Sequence, residues 1–143
     1  MVGISVYLDT NVVAALLIPE PLSDRAERYL GDCPDALLVS NLTTAEFSSI
    51  VARRVRNREF TADQARVALA NFDLWIDLST RRTDTSAADL NAANALLRRL
   101  DLPLRTLDAL HIAVAQRINA TLVTFDRQMA TSARALGMAV ATP

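Results

Sequence analysis

The chain reads as an α/β protein built on a parallel sheet, and three observations predict it. Short continuous apolar runs recur at Ile4 to Leu8, Leu37 to Val39 and Leu122 to Phe125, as expected of strands buried on both faces. Longer segments with apolar residues every three or four positions separate them. Prolines fall at the joints rather than inside these segments. Taken in order, Ile4 to Leu8 is the first strand, and the apolar run Val12 to Ile18 is a helix ended by Pro19 and Pro21. Pro34 marks a turn before the Leu37 to Val39 strand. The next helix runs from Leu42 to Val55, with Leu42, Ala45, Ile50, Val51 and Val55 as its apolar face. Thr61 to Trp75 predicts another helix, and Ile76 to Ser79 a weaker strand. Helices follow over Leu90 to Leu100 and Leu107 to Ile118, separated by Pro103. The strand Leu122 to Phe125 and a weaker one at Met138 to Ala141 complete the set. Strands alternating with helices imply a parallel sheet covered on both faces. Such sheets place ligand sites at the carboxyl ends of their strands.

With 143 residues, 51% hydrophobic and 22% charged, the chain is long enough for one buried core and too short for two ordinary domains. A single domain over residues 1–143 is expected. Every apolar run is well short of a membrane span, and the N-terminus lacks a leader pattern, so a soluble cytoplasmic protein is expected. Cys33 is the sole cysteine, which excludes an intrachain disulfide and a cysteine-cluster zinc site. All fifteen basic residues are arginine. Without lysine, Walker-type phosphate loops, Schiff-base enzymes and aspartyl-phosphate enzymes that need a helper lysine lose an indispensable group. Arginine remains suited to phosphate. A formal charge of −1 leaves any nucleic-acid affinity to local patches and bound metal.

Four acids stand where an apolar strand or helix face begins or ends: Asp9, Glu46, Asp108 and Asp126. Each has a structural explanation on its own. Asp9 and Asp126 end strands and precede helices, where a carboxylate caps free N–H groups. Glu46 completes Thr43-x-x-Glu46, the pattern of a capping box. Asp108 lies within Leu107-Asp108-Ala109-Leu110-His111-Ile112-Ala113, where an unpaired carboxylate is costly to bury. Four carboxylates crowded at the strand ends would repel one another unless a divalent cation lay between them.

Tyr7-Leu8-Asp9-Thr10-Asn11-Val12, a helical Glu46, the Asp108 segment and Leu122-Val123-Thr124-Phe125-Asp126 together resemble the PIN-domain family, especially its VapC-type toxin ribonucleases. The likeness runs from Val6 to Val140 with all four acids in family order. It implies a five-stranded parallel sheet between helices, a homodimer, and a metal-dependent endoribonuclease that leaves 5′-phosphate and 3′-hydroxyl ends. It also implies a small VapB-like antitoxin as partner and RNA as substrate. Asn119-Ala120 stands where family members often have a glycine, and asparagine tolerates the same left-handed turn. Met129 replaces a common aromatic residue.

Mg²⁺ or Mn²⁺ suits an all-oxygen set. Asp9 and Asp108 are the first choices as ligands, with Glu46 and Asp126 binding a second ion, holding water or accepting its proton. Thr10, Asn11 and Thr124 flank the acids and are candidates for positioning a carboxylate, phosphate or ligand; turn and cap chemistry explains Thr10 and Asn11 equally well and Thr124 somewhat better. For His111 a structural role is expected, because such a site has no need of imidazole. Arg53, Arg54, Arg56 and Arg58 read first as a solvated helix end. An aspartyl-phosphate phosphatase built on Asp9 fails for want of a lysine and of a second acid at Asn11. A non-catalytic RNA- or partner-binding module remains the alternative, against which the full acidic set argues.

Overall fold

A computed structural model describes residues 4–143; Met1, Val2 and Gly3, part of the predicted domain, lie outside the described residues. Five parallel strands form one sheet: β1 (Ser5–Leu8), β2 (Ala36–Ser40), β3 (Arg81–Thr83), β4 (Thr121–Val123) and β5 (Val140–Ala141), in the order β3-β2-β1-β4-β5. The first strand is central. Tyr7 lies opposite Leu38 of β2 on one side and Leu122 of β4 on the other. The chain grows outward through β2 and β3, then returns to the other side of β1 for β4 and β5. The reversal opens between β1 and β4, the position at which such sheets bind ligands.

The seven helices are α1 (Thr10–Leu17), α2 (Ser23–Asp32), α3 (Asn41–Arg56), α4 (Ala62–Ser79), α5 (Ala87–Arg98), α6 (Thr106–Arg117) and α7 (Arg127–Ala135). Alternation along β1 sends Val6 and Leu8 into one core with Val12, Val13, Phe47, Val51, Phe72 and Ile76. Tyr7 points the other way, toward Ile112, Val114, Leu122 and Met129. Phe47 and Phe72 stack with ring centroids 4.2 Å apart and join α3 to α4. Helix α6 is buried from Ala109 to Ala115. Its alanines 109 and 113 meet Ala93 of α5, small side chains that let the two helices approach closely.

Two predicted elements are corrected. Ile76 to Ser79 is no strand but the last turn of α4, because Ile76 extends the buried stripe of Ala65 and Phe72. The strand there is Arg81–Thr83, a polar edge without an apolar run. The buried face of α3 also differs, running through Thr43, Phe47 and Val51 while Ala45 is exposed. Asn119 adopts φ 52°, the left-handed turn foreseen for it. No helix among the described residues is long and apolar enough to cross a membrane.

Candidate active site

Asp9 follows β1 directly, and its N–H donates to Val123 O of β4 at 2.9 Å, so the carboxylate sits at the open end of the β1–β4 pair. It occupies the N-cap position of α1 but makes no capping bond. Instead Oδ2 accepts from the Thr124 hydroxyl at 2.7 Å. Asp9 is 8% exposed, and no arginine among the described residues pairs with it. Burial pushes its carboxyl above the usual range, and Glu46 adds to the rise, while the charge of His111 and the Thr124 bond pull against it.

Glu46 is not the capping residue its spacing allowed. Helix α3 begins at Asn41, three residues earlier than a Thr43 cap would require, and Thr43 itself accepts from the Ser40 N–H at 3.4 Å. Glu46 therefore lies in the second turn. Its Oε1 accepts from the Thr10 hydroxyl at 2.8 Å and contacts His111 Nε2. Burial pushes this carboxyl up, but the bond and charge of His111 and the Thr10 bond outweigh it and hold it below the usual range. His111, 1% exposed, has Nε2 3.8 Å from Asp9 Oδ1 and so stands between the two acids.

Asp108 shows the reverse outcome, since its Oδ2 accepts from the Arg105 N–H at 3.1 Å and closes the first turn of α6. It shares a cleft of about 680 Å³ with Glu46, Arg53 and Arg105. Asp126 caps α7, accepting from the Met129 N–H at 3.0 Å. Its own N–H donates to Thr124 Oγ1 at 3.0 Å. Asp126 and Asn11 line an adjoining cleft of about 360 Å³ with Arg53 and Arg54, and Asn11 Oδ1 accepts from the Phe125 N–H at 3.4 Å. Ile50 and Arg53 border both clefts.

The predicted residues thus fall into a close group of Asp9, Glu46, Thr10 and Thr124, with Asp126 tied in through Thr124 and Asp108 facing Glu46 across a cleft. No group of three or more His, Cys, Asp or Glu side chains among the described residues is arranged to hold a metal ion directly. The donor chemistry nonetheless fits a hard divalent ion: Asp9 is a buried oxygen donor without an arginine, and Mg²⁺ takes one or two carboxylates and keeps several waters. His111, for which a structural role is expected, is joined by Tyr7, which is not among the predicted site residues and whose phenol meets His111 Nδ1 at 2.6 Å and Ser40 Oγ at 2.7 Å. The available signal was polar atoms inside segments otherwise apolar throughout.

A doubly covered parallel sheet with carboxylates around its switch point defines the class of fold. The PIN domain family matches residues 6–135. A relative named Ribonuclease VapC46, from Mycobacterium tuberculosis, is 38% identical and covers 97% of this chain and 98% of its own. The crystal structure of Mycobacterium tuberculosis VapC20, described as a toxin that cleaves the sarcin-ricin loop, superposes with a TM-score of 0.75 at 22% identity over 96% of this chain and 99% of that one. DNA-bound VapBC from Salmonella typhimurium gives 0.70 at 18% identity over 97% and 98%. The chain belongs to the PIN-domain family, and its relatives there are the VapC ribonucleases.

Proposed function

We propose that this chain is a Mg²⁺- or Mn²⁺-dependent endoribonuclease, the toxin of a cytoplasmic toxin–antitoxin pair, cleaving RNA phosphodiesters at Asp9, Glu46, Asp108 and Asp126. The observation that carries it is the buried Asp9 carboxylate at the sheet's switch point, without an arginine and beside a second acid. The name of the VapC46 relative supports RNA as the substrate. Membership of the family and the solved VapBC assembly support a small VapB-like antitoxin as partner; a homodimer is the family's expectation.

Asp9 and Asp108 would hold the metal, with Glu46 and Asp126 completing the acidic site. When bound, the ion supplies an activated water and neutralises charge on the scissile phosphate. The protein's own groups orient these parts. Thr124 fixes the Asp9 carboxylate and Thr10 fixes that of Glu46, while Asn11 ties the start of α1 to the segment carrying Asp126. Held below the usual carboxyl range, Glu46 stays ionised and able to take a proton from water. Arg53, on the border of both clefts, is placed to meet a phosphate.

The test is incubation of a total-RNA pool with purified, antitoxin-free protein in Mg²⁺ or EDTA, beside Asp9→Asn and Asp108→Asn. Discrete fragments that require metal and both aspartates are expected. Folded protein that binds Mn²⁺ yet cleaves nothing would favour the binding module instead.

A further inference from the structure

We infer that Tyr7 and His111 are positioning residues that present the Glu46 carboxylate to the cleft, an inference that rests on the proposed role of Glu46. Tyr7 is fully buried in the central strand, and a phenol in that setting must find hydrogen-bond partners. It has two, His111 Nδ1 at 2.6 Å and Ser40 Oγ at 2.7 Å. His111 in turn presents Nε2 to Glu46 Oε1. A row of four side chains, the first three buried, therefore runs from Ser40 through Tyr7 and His111 to Glu46.

The direction of each bond follows from the acceptor that ends the row. An ionised carboxylate can only accept, so Nε2 carries the hydrogen that faces it. With hydrogen on Nε2 alone, Nδ1 is the acceptor and Tyr7 O–H donates to it. That leaves the Ser40 hydroxyl to donate to the phenol oxygen. His111 Nε2 also lies 3.4 Å from Thr10 Oγ1, the other donor to Glu46.

The consequence lies at the carboxylate. Oε1 accepts from both His111 and Thr10 on the protein side, whereas Oε2 has no hydrogen bond from the described residues and Glu46 lines the larger cleft. Two donors on one oxygen fix the rotamer and leave the other oxygen for a water, ion or substrate. A glutamate has three rotatable bonds, so without this clamp its head is free to leave the site.

The test combines Tyr7→Phe, His111→Leu, His111→Gln and Glu46→Gln in the full chain, read by kcat and KM for RNA cleavage and by thermal unfolding. A long-range ¹H–¹⁵N spectrum of the unsubstituted protein reads the His111 ring directly. Glu46→Gln is expected to be inactive. His111→Leu should lose about a hundredfold in kcat and Tyr7→Phe about tenfold, with KM within about twofold. His111→Gln, whose amide can donate to Glu46, should recover most of the leucine variant's loss. The spectrum should show hydrogen on Nε2 and none on Nδ1. Wild-type rates in Tyr7→Phe and a folded His111→Leu, beside an inactive Glu46→Gln, would overturn the positioning role alone. So would a glutamine variant no better than leucine, or a ring without hydrogen on Nε2, the latter whatever the variants' stability. Full activity in Glu46→Gln would instead overturn the reading of the acidic site.

Discussion

The hydroxyl of Thr124 donates to Asp9 Oδ2 at 2.7 Å and, through the same oxygen, accepts the N–H of Asp126 at 3.0 Å. One buried side chain thus sets the separation of two acids that lie on different strand ends. Thr124→Val keeps the shape and removes both bonds. It is expected to destabilise the fold by about 1–3 kcal/mol, the cost of leaving buried polar groups unpaired, and to weaken Mn²⁺ binding about tenfold. Urea unfolding and calorimetric Mn²⁺ titration measure the two effects separately; unchanged Mn²⁺ affinity would place Asp9 outside the metal site.

Asp9 should cost stability when no metal is present. Its folded carboxyl lies above the ordinary range because of burial, so the native state holds a proton that the unfolded chain gives up. Its contribution is then fully present below the unfolded value of about 3.9 and is lost as pH rises through the folded value. Metal-free Asp9→Asn is therefore expected to unfold at higher temperature than the native protein at pH 7, with the difference fading below about pH 4. Addition of Mn²⁺ should reverse the order. At a hundred times its Kd a ligand adds about 2.7 kcal/mol to a protein that binds it, and Asp9→Asn should not receive it.

Much of this arrangement is legible in the sequence, and the parts that are not have physical reasons. The central strands and α6 announce themselves because burial on every side demands apolar runs, as in Val6 to Leu8 and Ile112 to Ala115. Edge strand β3 does not, since Arg81 and Arg82 are exposed there. Helix α2 escapes for a similar reason, burying only Ala26, and α7 hides behind the short side chains Ala130, Ser132 and Ala133. At the candidate site, spacing alone misassigned the caps. Thr43-x-x-Glu46 matched a capping box, yet the box belongs to Ser40 and Thr43, while Asp108, which resembled a stranded charge, does close a helix turn. The choice between those readings depends on a three-residue difference in where α3 starts, which local pattern does not resolve.

The pair Asp89 and Arg117 should control the docking of α5 on α6. Asp89 is 2% exposed, and its oxygens accept from Arg117 Nε at 2.8 Å and Nη2 at 3.0 Å. Burial raises this carboxyl, but the bonds from Arg117 and Ser86 outweigh it and hold it below the usual range. The pair's contribution is thus present above the unfolded carboxyl value and lost as pH falls through the lower folded one. Arg117→Met leaves the carboxylate buried without its cation and should cost about 2–3 kcal/mol near neutral pH, discounted because Arg117 is itself partly exposed. A urea series at pH 7 and pH 3 should show the variant's deficit shrinking in acid.

Arg53 separates substrate binding from chemistry. It lies in the last turn of α3, about two turns beyond Glu46, and borders both clefts that carry the acids, and no carboxylate among the described residues pairs with it in an ion pair, in contrast to Arg54, which lies 3.6 Å from Glu59. An arginine left free beside an acidic site serves a phosphate better than it serves the fold. Arg53→Ala is therefore expected to leave the unfolding midpoint within about 0.5 kcal/mol of the native value. RNA binding should weaken uniformly across sequences, with the slope of log affinity against log salt smaller by about one contact. The rise should fall on KM, and kcat should hold. Binding measured with the inactive Asp9→Asn protein at several salt concentrations gives that slope without turnover. If kcat falls instead and the salt slope stays unchanged, Arg53 acts on the acids rather than on the substrate.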